Sequence, residues 1–431
     1  MGNSTKLALG AIAILGAAAV VFTRPHPRST AQSGAVAPAH LRLAALSTSS
    51  RRDVDYQRLD ARLRQLAAKP AMAGLAVGVV ENGRITFLQG YGETIKGSGE
   101  PVTPDTVFRW ASVSKGVAAT MVAKLAEQGK IELGGPVADY APDLHLPNGN
   151  EHVATVGDLL SHRLGLYRNA FDNKLEEGGN PSMLRASLAQ LNATCAPGTC
   201  WSYQNVAFDA SSEMVSRATG LPYEQAVRRM LFNPIGMTSG SVSMAGLQSS
   251  RSWARPHSAG ARPLPIVDTY YKVPGAGGIN SNIKDMALWM EAQMGEMPDV
   301  LDAKLLDTIH ARYVVTPSER GRLRKFLERL GTAWYGYGWR SYDYAGHRII
   351  GHRGGINGYR SLILFDPDKK SGVVALWNSN TSQPGALEFE VMDMIYRLPF
   401  RDWLELDGAP APAIATEPDA EVGSGEPAHQ R

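Results

Sequence analysis

The spacing of apolar residues changes twice along this chain, and those changes restrict the fold more than any single motif. Residues 75–80 and 85–89 are β-like runs joined by Glu81, Asn82, Gly83 and Arg84, and Asn-Gly between such runs is a strong hairpin signal. From about 117 to 328 the apolar residues recur mostly at helical spacing, broken by turns. After 330 short β-like runs return at 335–341, 347–351, 359–365 and 372–377, with 366–372 as the clearest turn. A hairpin near one end and a meander near the other can share one buried face only by joining one sheet. The expected class is α+β: an antiparallel sheet flanked by terminal helices, plus a mostly helical lobe. The sheet lobe is placed at 53–111 and 330–400 and the helical lobe at 112–329, as one domain over 53–400. A cleft between the lobes is the natural binding site.

The terminal helices are read at 53–68, with Tyr56, Leu59, Leu63 and Leu66 in phase, and at 387–397. Within the helical lobe, 155–162 is a short capped helix ending at His162, which is read as structural. The helix at 283–295 carries Met286, Leu288, Trp289 and Met294 as core. Arg322, Arg324 and Lys325 make 320–329 a basic, solvated helix face.

At the amino terminus Lys6 precedes sixteen uncharged, largely apolar residues, 7–22, followed by Arg24 and Pro25. Residues 1–23 read as a signal peptide or a membrane anchor, and both readings stay open. Either one places the body in the periplasm or elsewhere outside the cytoplasm, and the anchor reading adds an inner-membrane tether. Residues 24–52 are a Pro/Ser/Ala-rich linker. The segment 401–431, rich in Ala, Pro, Glu and Gly from Gly408 on, is expected to be a disordered tail.

The 44 basic and 41 acidic residues leave a net charge of +3, which does not point to nucleic acid. There is no Cys/His cluster and no His-Glu-x-x-His, so no metal or other cofactor is expected. Gly-x-Ser-x-Gly is also absent, which argues against an α/β-hydrolase elbow.

Chemistry can enter at Ser112-x-x-Lys115, just ahead of the apolar run 117–126. If Ser112 opens a helix, Lys115 lies one turn on and its amine reaches the hydroxyl. A serine needs such a base to become a nucleophile. Tyr203-x-Asn205 offers a phenol, which acts as a base only beside cations, and an amide that can both donate and accept. Cys195 and Cys200 bracket Pro197-Gly198, a pair suited to a type II turn, so a disulfide is a candidate that would stiffen the tyrosine loop. His352, Gly354 and Gly355 follow an apolar β-run, where a donor and bare backbone can meet a substrate. The Gly355 and Ser112 amides could form an oxyanion hole.

In this order and at these separations, Ser112-x-x-Lys115, Tyr203-x-Asn205 and His352-x-Gly354 resemble the serine β-lactamase and penicillin-binding-protein superfamily. Within it the chain resembles the class C β-lactamase-related serine hydrolases. Leu159-Leu160-Ser161-His162 with Gly165, Asn233-Pro234 and Pro274-Gly275 support the likeness, which covers about 55–400. The resemblance implies an enzyme of the β-lactamase/DD-peptidase-like fold, and the amino-terminal segment makes it an exported one. It would form an acyl-enzyme on Ser112, with Lys115 and Tyr203 sharing proton transfer and Asn205 positioning the substrate. Its substrates would be small esters, β-lactams or D-amino-acid peptides. His352 stands where class C β-lactamases carry lysine, which favours an esterase or D-peptidase over a dedicated β-lactamase. Arg163-Leu164 also departs from the relatives' pattern. Two alternatives remain: a non-hydrolytic penicillin-binding or sensor protein of the cell envelope, and a Ser-His-Asp triad based on His352.

Overall fold

The computed structural model describes residues 52–408. The leader expected at 1–23, the linker up to 51 and the tail beyond 408 lie outside the described residues. No described helix is long and apolar enough to cross a membrane.

The first described helix is α1 (Tyr56–Ala67). The hairpin follows as β1 (Gly74–Glu81) and β2 (Arg84–Gly92). Asn82 and Gly83 both adopt positive φ, 52° and 73°, which a two-residue turn of matching twist requires. Next come β3 (Phe108–Arg109) and β4 (Asn280–Ser281), which form a small two-stranded ribbon. The remaining strands are β5 (Val314–Val315), β6 (Leu330–Tyr335), β7 (Arg340–Tyr344), β8 (His347–Ile356), β9 (Tyr359–Asp366) and β10 (Ser371–Trp377). They join β1 and β2 in one eight-stranded sheet of order β2-β1-β10-β9-β8-β7-β6-β5. Every pairing in it is antiparallel, and β1 lies against β10, so both ends of the chain build the sheet as expected.

Both faces of the central strands are buried. On β1, Leu75, Val77 and Val79 enter one core with Leu59, Leu63 and Leu66 of α1 and Leu387, Phe389 and Met392 of the helix Leu387–Ile395. Ala76 and Val80 face a second core that contains the helix α2 (Ser114–Glu127) and most of the helical lobe. This alternation explains why the β1 sequence reads as an unbroken apolar run. Met286, Leu288 and Trp289 are core residues of the helix Ile283–Gln293.

Several boundaries differ from expectation. The run expected as one strand at 335–341 is two strands, because residues 336–339 turn toward α2. Gly338 has φ 72°, and a Cβ there would lie 2.5 Å from the Lys115 carbonyl oxygen. The strand expected at 347–351 continues to Ile356, because pairing with β9 runs on to Ile356 opposite Tyr359. The short strand β5 falls inside the stretch assigned to the helical lobe yet edges the main sheet.

The expected basic helix at 320–329 is a helix, Pro317–Arg322, and a 3-10 turn, Arg324–Phe326. Its cations are tied inward: Lys325 donates to the Trp403 carbonyl, and Arg329 pairs with Asp393. The domain also does not stop at 400. Residues 401–408, expected to begin a disordered tail, place Trp403, Leu404 and Leu406 in the α1 core. Arg62 of α1 bonds Glu390 at 2.6 Å and Asp402 at 2.5 Å, joining three chain segments.

Candidate active site

Ser112 lies in a 3-10 turn, Ala111–Val113, that runs directly into α2. Ala111 has φ 48°, a region that non-glycine residues avoid, so the backbone bends sharply just before the hydroxyl. Neighbouring strands clamp this bend. The Trp110 amide donates to the Ile279 carbonyl at 2.8 Å, and the Ile279 amide donates to Ser114 Oγ at 3.1 Å. Ser361 Oγ of β9 donates to the Trp110 carbonyl at 2.5 Å. On β8, a Cβ at Gly354 would meet the Trp110 carbonyl oxygen at 2.3 Å and the Ser112 nitrogen at 3.0 Å, so only glycine fits there. The next residue, Gly355, is exposed.

Lys115 is fully buried one turn beyond Ser112. Its Nζ lies 3.5 Å from Ser112 Oγ and donates to Asn205 Oδ1 at 2.6 Å and to the Ala276 carbonyl at 3.0 Å. Ser112, Lys115 and Asn205 are thus brought together. Tyr203 joins them through its ring, 4.7 Å from Lys115 Nζ to the centroid.

Asn205 Nδ2 in turn donates to Asp172 Oδ2 at 2.7 Å. That contact fixes the amide so that its oxygen faces the lysine. Burial lifts the Asp172 carboxyl to about 6, with Asn205 and Lys115 pulling the other way. Sequence reasoning missed Asp172, since a lone aspartate carries no spacing signal. It also missed the role of Ala276, although the Gly-rich stretch around it was noted.

The Tyr203 loop is fixed from behind. Cys195 and Cys200 form a disulfide, S–S 1.97 Å, and Gly198 takes φ 80°, as the third position of a type II turn requires. The loop packs along the segment after the helix Val156–Leu160. The Thr194 amide donates to Gly165, Gly198 to Arg163 and Ser202 to His162. Arg163 also pairs with Asp158 at 2.8 Å, which gives that departure from the family pattern a structural role.

His162 and His352 are joined through one hydroxyl. His162 Nδ1 accepts from the Gln204 amide at 3.2 Å, so its Nε2 carries the proton and donates to Tyr335 Oη at 3.1 Å. Tyr335 then donates to His352 Nε2 at 3.1 Å, and His352 Nδ1–H donates to the Arg353 carbonyl at 2.7 Å. Both imidazoles are held well below their ordinary titration range. Burial is the first cause for each, followed by Lys115 for His162 and by Arg340 for His352. His352 was expected to present a donor to the substrate, but both its nitrogens have protein partners. It lies inside β8, and the strand register turns its ring toward Tyr335. The same contacts remove it as the base of a triad. His162, expected as structural, packs 4.4 Å from the Tyr203 ring.

Among the described residues no group of His, Cys, Asp and Glu is placed to hold a metal ion. A partly exposed hydroxyl beside a buried amine, with bare strand backbone alongside, suits acyl transfer.

A family model described as Beta-lactamase matches residues 59–393. The chain belongs to the beta-lactamase family. It is 28% identical over 324 residues to the unguisins hydrolase ungD′ of Aspergillus campestris, a match covering 72% of this chain and 59% of that protein. The chain therefore spans about three fifths of that relative's length. It is 28% identical over 339 residues to penicillin-binding protein 4 of Amycolatopsis lactamdurans, covering 76% and 85% of the two chains. The octameric penicillin-binding protein homologue from Pyrococcus abyssi superposes with a TM-score of 0.71 at 21% identity, over 80% of this chain and 78% of that one, a likeness of fold. These relatives are named as a hydrolase and as penicillin-binding proteins.

Proposed function

We propose that the protein is a serine hydrolase that cleaves a small ester or amide through an acyl-enzyme on Ser112. The observation that carries this reading is the set of partners around Lys115 Nζ. A neutral amine has two N–H groups and one lone pair. With Asn205 Oδ1 and the Ala276 carbonyl accepting at 2.6 and 3.0 Å, Nζ is left 3.5 Å from the Ser112 hydroxyl, where the neutral form of the amine would turn its lone pair.

In acylation the Ser112 proton passes to Lys115 as Oγ attacks the carbonyl carbon. The Ser112 and Gly355 amides meet the oxyanion. When the tetrahedral adduct collapses, the proton returns to the leaving alcohol or amine, with Tyr203 as relay. Water, deprotonated by the same pair, then attacks the ester, and the acid leaves as Ser112 recovers its proton. The substrate classes we favour are carboxylic esters and D-amino-acid amides, with weak β-lactam turnover. Activity outside the cytoplasm is part of the proposal, and the closed Cys195–Cys200 bond supports it.

Incubation with a fluorophosphonate or a β-lactam should add one probe mass to the intact protein and none to Ser112→Ala. Equal labelling of both proteins, or no labelling of folded wild type by several probes, would overturn the assignment.

A further inference from the structure

Among the described residues three cations surround the Tyr203 ring, and one of them has no acceptor. Lys115 Nζ, 4.7 Å from the centroid, is taken by Asn205 and Ala276. Arg340, 5.6 Å away, is paired with Glu319 at 2.8 Å. Arg168 lies 6.0 Å from the same centroid. It is half-buried, and its Nε is enclosed without a hydrogen-bond partner. Among the described residues no carboxylate, carbonyl or hydroxyl accepts from its guanidinium. Of the carboxylates nearby, Glu319 pairs with Arg340, and Asp172 accepts from Asn205 through Oδ2 at 2.7 Å while its buried Oδ1 takes no hydrogen bond.

Arg322, exposed at the end of the helix Pro317–Arg322, adds a second positive charge close by. The Arg168 charge is disfavoured first by burial and then by Arg322 and Arg340. A like-charged pair brought together beside a half-desolvated guanidinium is unfavourable until an anion joins it. Residue 168 is held there by the loop itself, since the Asn169 amide donates to the Tyr203 carbonyl at 2.8 Å. His352, neutral and enclosed, offers no competing charge.

We propose that Arg168, backed by Arg322, is an anion-recognition point beside Tyr203 for a carboxylate carried by the substrate. This deepens the hydrolase reading and rests on it for turnover, though not for binding. Arg168 is a binding residue in this account and takes no part in proton transfer.

The test compares two activated esters of similar length, mono-p-nitrophenyl glutarate and p-nitrophenyl butyrate. The ratio of their kcat/KM values should favour the anionic ester in wild type and fall as salt is raised. It should drop about tenfold in Arg168→Gln, the scale of one charge-assisted contact, and less in Arg168→Lys and Arg322→Gln. A ratio unchanged in Arg168→Gln, in a protein whose thermal unfolding is intact, overturns the proposal. If Arg168→Gln does not fold, Arg322→Gln and the salt dependence of wild type decide, and a ratio indifferent to both overturns it.

A second arm needs no turnover. Ser112→Ala protein is titrated with monomethyl glutarate and dimethyl glutarate, with and without Arg168→Gln. Tighter binding of the monoester that depends on Arg168 supports the site even if Ser112 proves unreactive. Equal binding of the two esters, or no detectable binding of either, removes the site even if Ser112 is the nucleophile.

Discussion

Lys115 is enclosed by two hydrogen-bond acceptors and the rings of Tyr203 and Phe208, the latter 5.4 Å from Nζ. It is the basic group nearest the Ser112 hydroxyl, 3.5 Å from Oγ. Lys115→Ala should therefore lower kcat/KM for a p-nitrophenyl ester by about 10²–10⁴-fold, the span usual for a lost general base. A loss smaller than tenfold would remove Lys115 from the proton path. Asp172 has a different signature. Its folded-state value of about 6 lies above the unfolded value near 4, so the folded protein holds this proton more tightly than the unfolded chain does. The resulting stabilisation is complete below pH about 4 and is lost as pH rises through about 6. Asp172→Asn, neutral at every pH, should be more stable than wild type at pH 8 by on the order of 1–3 kcal/mol, with the difference closing below pH 4. Urea denaturation across that range measures it, and a pH-independent gap would contradict the assignment.

Among the elements, the disulfide loop and β8 place the site. The Cys195–Cys200 ring precedes Tyr203 by three residues and pairs with the backbone at Gly165, Arg163 and His162. Replacing both cysteines with alanine should cost about 2 kcal/mol by the loop-entropy estimate. It should also lower kcat more than it changes KM, because the Tyr203 loop loosens. Thermal unfolding and steady-state kinetics read the two effects, and unchanged kinetics would mean that the loop is held without the bond. Gly354 acts by its lack of a side chain. Gly354→Ala would force a methyl carbon against the Trp110 carbonyl, so it should abolish Ser112 labelling while the protein remains folded. Normal labelling of that variant would show that the nucleophile turn and β8 are not in register as described.

For the whole molecule, the two sequence ends close one layer. α1, the helix Leu387–Ile395 and residues 401–408 cover the same face of the sheet. Trp403 packs 5.2 Å from Phe326, and its indole donates to Asp393 at 2.7 Å. Trp403→Ala should cost about 3–5 kcal/mol, as for other buried aromatic truncations. A change below 1 kcal/mol by thermal or urea unfolding would show that residues 401–408 do not belong to the domain core. The segment was expected to be disordered together with the Ala-, Pro-, Glu- and Gly-rich stretch that follows it from Gly408. Only the partners, Arg62 above all, reveal that it is anchored.

Local rules were enough for the hairpin at Asn82-Gly83, the β-runs that join it in one antiparallel sheet, and the meeting of Ser112 with Lys115. Turn chemistry, period-two burial and a single helical turn act over a few residues, and each is written in the chain. The partners of Asn205, the direction of the His352 ring and the isolation of Arg168 depend on strands and loops far apart in sequence. Register and packing decide those contacts, so they appear only when the sheet is assembled around the buried amine.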